Sequence, residues 1–419
     1  MSTENRKLVN IATAGSVDDG KSTLIGRLLY DTKSLTTDKL EAIERNSKQK
    51  GFDYLDFSLA TDGLVAEREQ GITIDVAHIY FNTDKTNYII ADTPGHVEYT
   101  RNMVTGASTS KVAIILIDAR KGVIEQTYRH FFINNLLRVG HVIVAINKMD
   151  LVDYEQEVFD EIKKDFEDLI AKSSYTEDQV TFIPVSALHG DNIAGGSDKM
   201  SWYKGPSLLD YLEGLEIDDL EGHSAARFSV QYVVRPKTDT HHDFRGFAGK
   251  LYGANLAVGD EVTVLPSLTQ SKVKAIHFFD QEYDEAVPES SITITLEDEV
   301  NVSRGDMLVK SNELPKSEKQ LSATVCQVNS KPLQIGAKYI LQHGVNQVLA
   351  KVDSIEGLIH TDFSGQEPAD QLKLNDIGKV NFRLSKPIHF DPYNVNKSNG
   401  SFILIDEGSF DTTSVGFIQ

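Results

Sequence analysis

The alternation of apolar and polar positions divides the chain into two regimes. From Lys7 to about residue 216, short apolar runs alternate with amphipathic stretches of helical period. The runs at 8–14, 86–91, 112–118, 141–147 and 181–185 read as strands, and the stretches at 22–29, 125–137 and 154–171 read as helices. This is the rhythm of a parallel-rich sheet with helices on both faces. Beyond residue 222 the runs become short and alternating, at 228–234, 247–251, 261–265, 272–278 and 291–296, separated by Gly, Asp and Pro turns. That spacing predicts a small antiparallel barrel. A second break at Leu314-Pro315-Lys316 precedes another set of short strands that runs to the C-terminus. The pattern predicts one α/β domain at 1–216 and two β-barrel domains at 222–314 and 317–419. Only the stretch 32–65 has weak periodicity, and it is expected to be partly mobile.

Composition narrows the class without changing this picture. With 40% hydrophobic and 25% charged residues the chain is expected to fold into ordinary packed domains. Acidic residues outnumber basic ones 62 to 42, a formal charge of −20, which argues against a surface built to hold a nucleic-acid backbone. The single cysteine, Cys326, rules out an internal disulfide and fits a reducing compartment. No run approaches the roughly 18 apolar residues of a membrane span, and the region around Glu4, Arg6 and Lys7 does not resemble a signal peptide, so a soluble cytoplasmic protein is expected.

The candidate chemistry follows the first strand. Gly15-Ser16-Val17-Asp18-Asp19-Gly20-Lys21-Ser22-Thr23 has the phosphate-loop spacing of two glycines, a lysine and a hydroxyl residue. The glycines let backbone N–H groups converge on phosphate oxygens at a helix start, where the helix dipole also favours anions. Lys21 is placed to reach the terminal phosphates as a candidate catalytic group, and Ser22 to ligate Mg²⁺. The strand at 86–91 ends in Asp92-Thr93-Pro94-Gly95-His96. There Asp92 can hold Mg²⁺ and Gly95 can offer its N–H to a γ-phosphate. Thr73, within Glu67-Arg68-Glu69-Gln70-Gly71-Ile72-Thr73-Ile74-Asp75, is placed to complete the Mg²⁺ shell only when a γ-phosphate is present, and 71–76 is also expected to begin a strand.

Base choice is read from Asn147-Lys148-Met149-Asp150. A carboxylate such as Asp150 can accept from guanine N1–H and N2–H₂, donors that adenine lacks, so the expected nucleotide is GTP. Ser186-Ala187-Leu188 follows the strand at 181–185, where its backbone can touch guanine O6, but the tripeptide has meaning only beside the other motifs.

With these residues in place, the chain resembles the translation-elongation-factor superfamily of GTPases, in which a histidine follows Asp-Thr-Pro-Gly. The resemblance implies that His96 orients the attacking water, that Val17 and Ile72 screen it until a partner triggers closure, and that unassisted hydrolysis is slow. The nearer resemblance is to the large, GTPase subunit of bacterial sulfate adenylyltransferases. It rests on the phosphate loop with its continuation Leu24-Ile25-Gly26-Arg27-Leu28-Leu29-Tyr30-Asp31 and on Tyr99-Thr100-Arg101-Asn102-Met103. It rests also on Asp243-Phe244-Arg245-Gly246-Phe247-Ala248-Gly249, and on Asp391-Pro392-Tyr393 with Phe402-Ile403-Leu404-Ile405-Asp406. Departures occur at Val97-Glu98, where a Glu-Gln pair is more usual, at 237–242, and at Gln419, where the kinase extension of some relatives is lacking.

This resemblance implies a heteromer that makes adenosine 5'-phosphosulfate and pyrophosphate from ATP and sulfate. By the same implication this chain would hydrolyse GTP and a separate, small adenylyl-transferring subunit would carry the adenylyl-transfer site. None of the 12 histidines forms a His-x-x-His pair, the nucleotide grip of single-chain sulfurylases. Ala194-Gly195-Gly196-Ser197-Asp198 reads as a surface turn, Cys326 as a buried apolar side chain, and the tandem His241-His242 as no metal site. The competing reading is an elongation factor that delivers aminoacyl-tRNA, which requires a basic tRNA-facing surface.

Overall fold

The computed structural model describes residues 7–49, 51–52, 54–57, 76–94, 100–216, 224–236, 244–279 and 281–419. The chain divides into two compact units, Met1–Asp218 with His360–Gly365, and Asp219–Ile359 with Gln366–Gln419. Among the described residues no helix is long and apolar enough to cross a membrane.

The first unit is built on a six-stranded sheet: β1 (Lys7–Ala14), β2 (Ala77–Asn82), β3 (Thr86–Asp92), β4 (Val112–Asp118), β5 (His141–Asn147) and β6 (Val180–Pro184). The spatial order is β2-β3-β1-β4-β5-β6, with only the edge strand β2 antiparallel to its neighbour. Six helices are described: α1 (Lys21–Asp31), α2 (Thr37–Gln49), α3 (Thr100–Ala107), α4 (Glu125–Leu136), α5 (Gln156–Ile170) and α6 (Leu208–Gly214). Every residue of β4 is buried, so both faces of the sheet are covered, as an apolar run in a parallel sheet requires. Val112, Ile114 and Leu116 pack on one side with Leu24 and Leu28 of α1 and Leu208 of α6. The strand ends therefore line up beside the start of α1, where ligands bind in sheets of this kind.

The expected strand at 71–76 lies outside the described residues except for Val76, and the sheet resumes at Ala77. The weakly periodic stretch 32–65 contains α2, in which only Ile43 and Ser47 are buried. So shallow a buried face leaves little apolar signal in the sequence, which is why the helix was not legible there.

The second unit holds two closed barrels. The first comprises β7 (Arg227–Val234), β8 (Gly246–Tyr252), β9 (Glu261–Leu265), β10 (Thr269–Phe278), β11 (Ser291–Leu296) and β12 (Met307–Lys310), closing in the order β9-β12-β7-β8-β11-β10. The second comprises β13 (Lys316–Gln327), β14 (Lys338–His343), β15 (Asn346–Ile359), β16 (Ile377–Phe390), β17 (Ser401–Ile405) and β18 (Thr412–Ile418), closing as β14-β17-β18-β13-β16-β15. Closure removes sheet edges, and alternate residues fill each interior: Phe228, Val230, Leu251 and Ile294 in the first, Leu321, Val325, Leu341 and Phe382 in the second. Cys326 is buried on β13, and Gly195 and Gly196 lie in an exposed turn.

The barrels are joined by a buried polar joint. Arg227 Nε and Nη2 meet the two Asp391 carboxylate oxygens at 2.7 and 2.9 Å, and Nη1 donates to the carbonyls of Ala226 and Glu313 at 3.1 and 2.7 Å. Asn399 Nδ2 donates to Asp391 Oδ2 at 2.7 Å, so the carboxylate is satisfied from both sides.

Candidate nucleotide site

The loop between β1 and α1 is shaped by two tight approaches. At Gly20 φ is 92°, and a Cβ there would lie 2.4 Å from Asn147 Nδ2. At Gly15 a Cβ would lie 3.1 Å from Leu116 Cβ on β4. The loop closes on itself through Asp19, whose N–H donates to Ser16 O at 3.1 Å while its Oδ2 accepts the Ser16 N–H at 2.7 Å. Burial pushes the Asp19 carboxyl above its ordinary value, opposed by the Ser16 N–H and by Lys121, whose Nζ lies 3.4 Å from Oδ1. Val17 and Asp18 face outward, and Lys21 opens α1 with its side chain buried. Ser22 and Thr23 sit half-buried in the first turn, where backbone N–H groups have no partner within the helix.

Lys21 reaches across to the end of β3. Its ammonium donates to the Thr93 carbonyl and lies 3.3 Å from Asp92 Oδ1. Thr13 Oγ1 donates to Asp92 at 3.2 Å and Thr93 Oγ1 donates to the Thr13 carbonyl at 2.6 Å, which fixes the ends of β1 and β3 together. Pro94 is buried beside them. Thr73, Gly95, His96 and Ile72 lie outside the described residues, as do His241 and His242.

Asn147 ties the base motif to this loop. Its Nδ2 donates to the Asp19 carbonyl at 2.8 Å, and its Oδ1 accepts the Ala187 N–H at 3.0 Å. One buried amide thus joins the phosphate loop, the 147–150 turn and the 186–188 loop. Lys148, at φ 64°, donates to the Asp18 carbonyl and pairs with Asp118 Oδ2 at 2.9 Å. Met149 is fully buried, its N–H bonded to Val185 O at 3.2 Å. Asp150 Oδ1 accepts the Ser186 hydroxyl at 2.6 Å, which sets the orientation of the carboxylate. Leu188 is half-buried at the rim.

Two residues of this framework went unnoticed in the sequence. Asp118, at the end of the all-buried β4, accepts from Arg120 Nη2 at 2.7 Å as well as from Lys148. Burial alone would raise its carboxyl, but the Arg120 and Lys148 bonds hold it well below the usual carboxylate range. Lys121, three residues on, is the partner of Asp19. An acid that closes a fully apolar strand at the ligand end of a parallel sheet was the available signal for Asp118.

The residues suit a magnesium nucleotide. Ser16 Oγ is buried without a hydrogen-bond partner, which marks the loop as shaped for a further polar group. Among the described residues the candidate oxygen ligands are one carboxylate, Asp92, and one hydroxyl, Ser22. This hard, sparse set fits Mg²⁺, which keeps waters and takes phosphate oxygens for the remainder of its shell.

The elongation factor Tu GTP binding domain model matches residues 6–233, and a GTP-eEF1A C-terminal domain-like model matches 320–419. Fold, site and match together define a GTP-binding protein of the elongation factor Tu class. Within that class the similarity is narrower. Sulfate adenylyltransferase subunit 1 of Bacteroides fragilis is 48% identical over 417 residues, 99% of this chain and 86% of that protein. The subunit 1 of Colwellia psychrerythraea is 47% identical over 418 residues, 99% of this chain and 88% of its own. The bifunctional enzyme CysN/CysC of Mycobacterium tuberculosis is 45% identical over 417 residues, 98% of this chain and 67% of that protein. The chain belongs to the sulfate adenylyltransferase subunit 1 family.

Proposed function

We propose that this chain is the GTP-hydrolysing subunit of a heteromeric, cytoplasmic sulfate adenylyltransferase. GTP hydrolysis on it drives the formation of adenosine 5'-phosphosulfate and pyrophosphate from ATP and sulfate on a small adenylyl-transferring partner. Family membership supports the overall reaction. The observation that carries the nucleotide half is the Asn147 side chain, which holds the phosphate loop and the guanine-side loops in one frame.

In this reading the GTP-binding domain is 1–216, with barrel domains at 222–314 and 317–419. The loop 15–20 and the start of α1 cradle the phosphates through backbone N–H groups, and Lys21 neutralises the terminal ones. Asp150, oriented by Ser186, accepts from guanine N1–H and N2–H₂, and Lys148 and Ala187 close the base pocket. Ser22, Thr73 and Asp92 would hold Mg²⁺, which would supply charge neutralisation to the phosphates. His96 orients the attacking water, while Thr73 and Gly95 sense the γ-phosphate and pass its loss to the partner. Phosphosulfate formation is uphill, and coupling to GTP hydrolysis offsets it.

The tRNA-delivery alternative is disfavoured by the −20 charge and by the names of the relatives. The test is coexpression with the small subunit and measurement of phosphosulfate formation with and without GTP. Lys21→Met and His96→Ala are each expected to abolish the GTP-dependent gain while the folded heteromer persists. A gain that survives both changes contradicts the coupling.

A further inference from the structure

We propose that Lys121 is a positioning residue for nucleotide affinity. It acts as the counter-ion of the phosphate-loop acid Asp19, without itself touching nucleotide. The inference rests on reading this pocket as the GTP site.

Asp19 is an unusual neighbour for a polyphosphate. Its side chain is only 3% exposed, and it lies within the loop 15–20 that this reading assigns to the phosphates. Oδ2 is engaged by the Ser16 N–H at 2.7 Å, so the carboxylate braces the loop from beneath. A buried negative charge at that place opposes any second anion, because the low-dielectric surroundings screen it poorly. Lys121 answers the charge at 3.4 Å from Oδ1, with 41% of its own side chain exposed.

Lys121 is also held in place. Its N–H donates to the Asp118 carbonyl at 2.9 Å, and Gly122, at φ 67°, donates to the same carbonyl at 3.1 Å. The preceding Ala119 N–H donates to Asn147 O at 2.9 Å. The turn that carries the counter-ion is thus anchored to the base motif, and Asp118 in that turn grips Lys148. One short segment, 118–122, therefore serves both ends of the pocket. It neutralises the acid under the phosphates and steadies the lysine beside the base.

The charge and the brace can be separated. Asp19→Asn keeps an oxygen that can accept the Ser16 N–H and removes the charge, whereas Lys121→Met removes the counter-ion and keeps the length of the side chain. Calorimetric Kd values for GDP and for a non-hydrolysable GTP analogue, with Tm for each protein, form a double-mutant cycle. Lys121→Met is expected to weaken both ligands by about tenfold, the triphosphate more than the diphosphate because it carries more charge. Asp19→Asn with Lys121→Met should bring affinity back to within about threefold of the wild type, and Lys121→Arg should bind as the wild type does. A purely structural role for Lys121 would lower Tm without a triphosphate-over-diphosphate difference and without rescue, and that result overturns the proposal. So does Lys121→Met binding as tightly as wild type. Should Asp19→Asn not fold, the contrast of Lys121→Arg with Lys121→Met carries the same test, equal loss in both being the contrary result. A wild-type protein that binds neither ligand refutes the reading of the pocket instead, which keeps the two failures distinct.

Discussion

At the scale of single residues, the nucleotide pocket depends on side chains that face the protein more than the ligand. Asn147 makes no choice between bases, yet its amide spans from the Asp19 carbonyl to the Ala187 N–H, at 2.8 and 3.0 Å. Asn147→Ala removes both bonds and leaves a buried carbonyl and a buried N–H without partners, at a cost of about 1–3 kcal/mol for each. Guanine-nucleotide affinity measured by calorimetry is therefore expected to fall by about 100-fold or more, with GDP and GTP affected alike, since the damage lies in the frame rather than at the γ-phosphate. An unchanged Kd would show that the three loops hold their places without the bridge. This frame was half legible in the sequence. The Asn-Lys-Met-Asp motif announced itself, but Ser186-Ala187-Leu188 carried no weight alone. Asp118 and Lys121 belong to no short motif, because their partners Lys148 and Asp19 stand 30 and 102 residues away. Spacing along a chain does not reveal pairs made only by the sheet's parallel register, which sets Asp118 beside Asn147.

At the scale of elements, the strands that build the sheet were readable because each is an apolar run ended by a turn signal. The runs at 112–118 and 141–147 coincide with β4 and β5, and 261–265 and 291–296 with β9 and β11. The helix α2 was hidden for the opposite reason, a mostly solvated surface. Two strings that marked the family in the sequence prove to be joints of the barrels. Gly249 admits the Ser229 carbonyl, which would lie 2.2 Å from a Cβ, and Arg245 donates to the carbonyls of Val300 and Val302 at 2.9 and 3.2 Å. Asp391 is the acid of the Arg227 joint. The helix α4 carries a feature with a thermodynamic signature, because His130 is 1% exposed and burial pushes its pKa down to about 3. The folded chain thus refuses a proton that the unfolded chain accepts below about pH 6.5, so stability must fall as pH drops through that value. His343 on β14 is likewise lowered by burial, with the same sign. Denaturant unfolding at about pH 7.5 and about pH 5 is expected to show His130→Gln losing about 2 kcal/mol less than wild type over that interval. Equal losses would place the imidazole's pKa nearer its ordinary value.

At the scale of the whole molecule, the two barrels share one unit, and a buried ion pair, Arg227 with Asp391, is among the contacts that join them. Arg227→Met leaves the Asp391 carboxylate without its bidentate partner, and breaking such a pair from one side costs about 3–5 kcal/mol. Thermal denaturation is expected to show a lower Tm for the barrel unit, and nucleotide affinity should be unchanged because all the pocket's described residues lie in the other unit. A variant as stable as wild type would show that packing between the barrels suffices without the pair. The proposed coupling to sulfate activation depends on the nucleotide unit being a guanine-specific switch, and every later step inherits that premise. Calorimetric titration of the purified chain with GDP and with ADP tests it most directly. The account predicts GDP binding at least about a thousandfold tighter than ADP, since the role proposed for Asp150 is to pair with donors that adenine lacks. Equal affinities, or a preference for ADP, would contradict it.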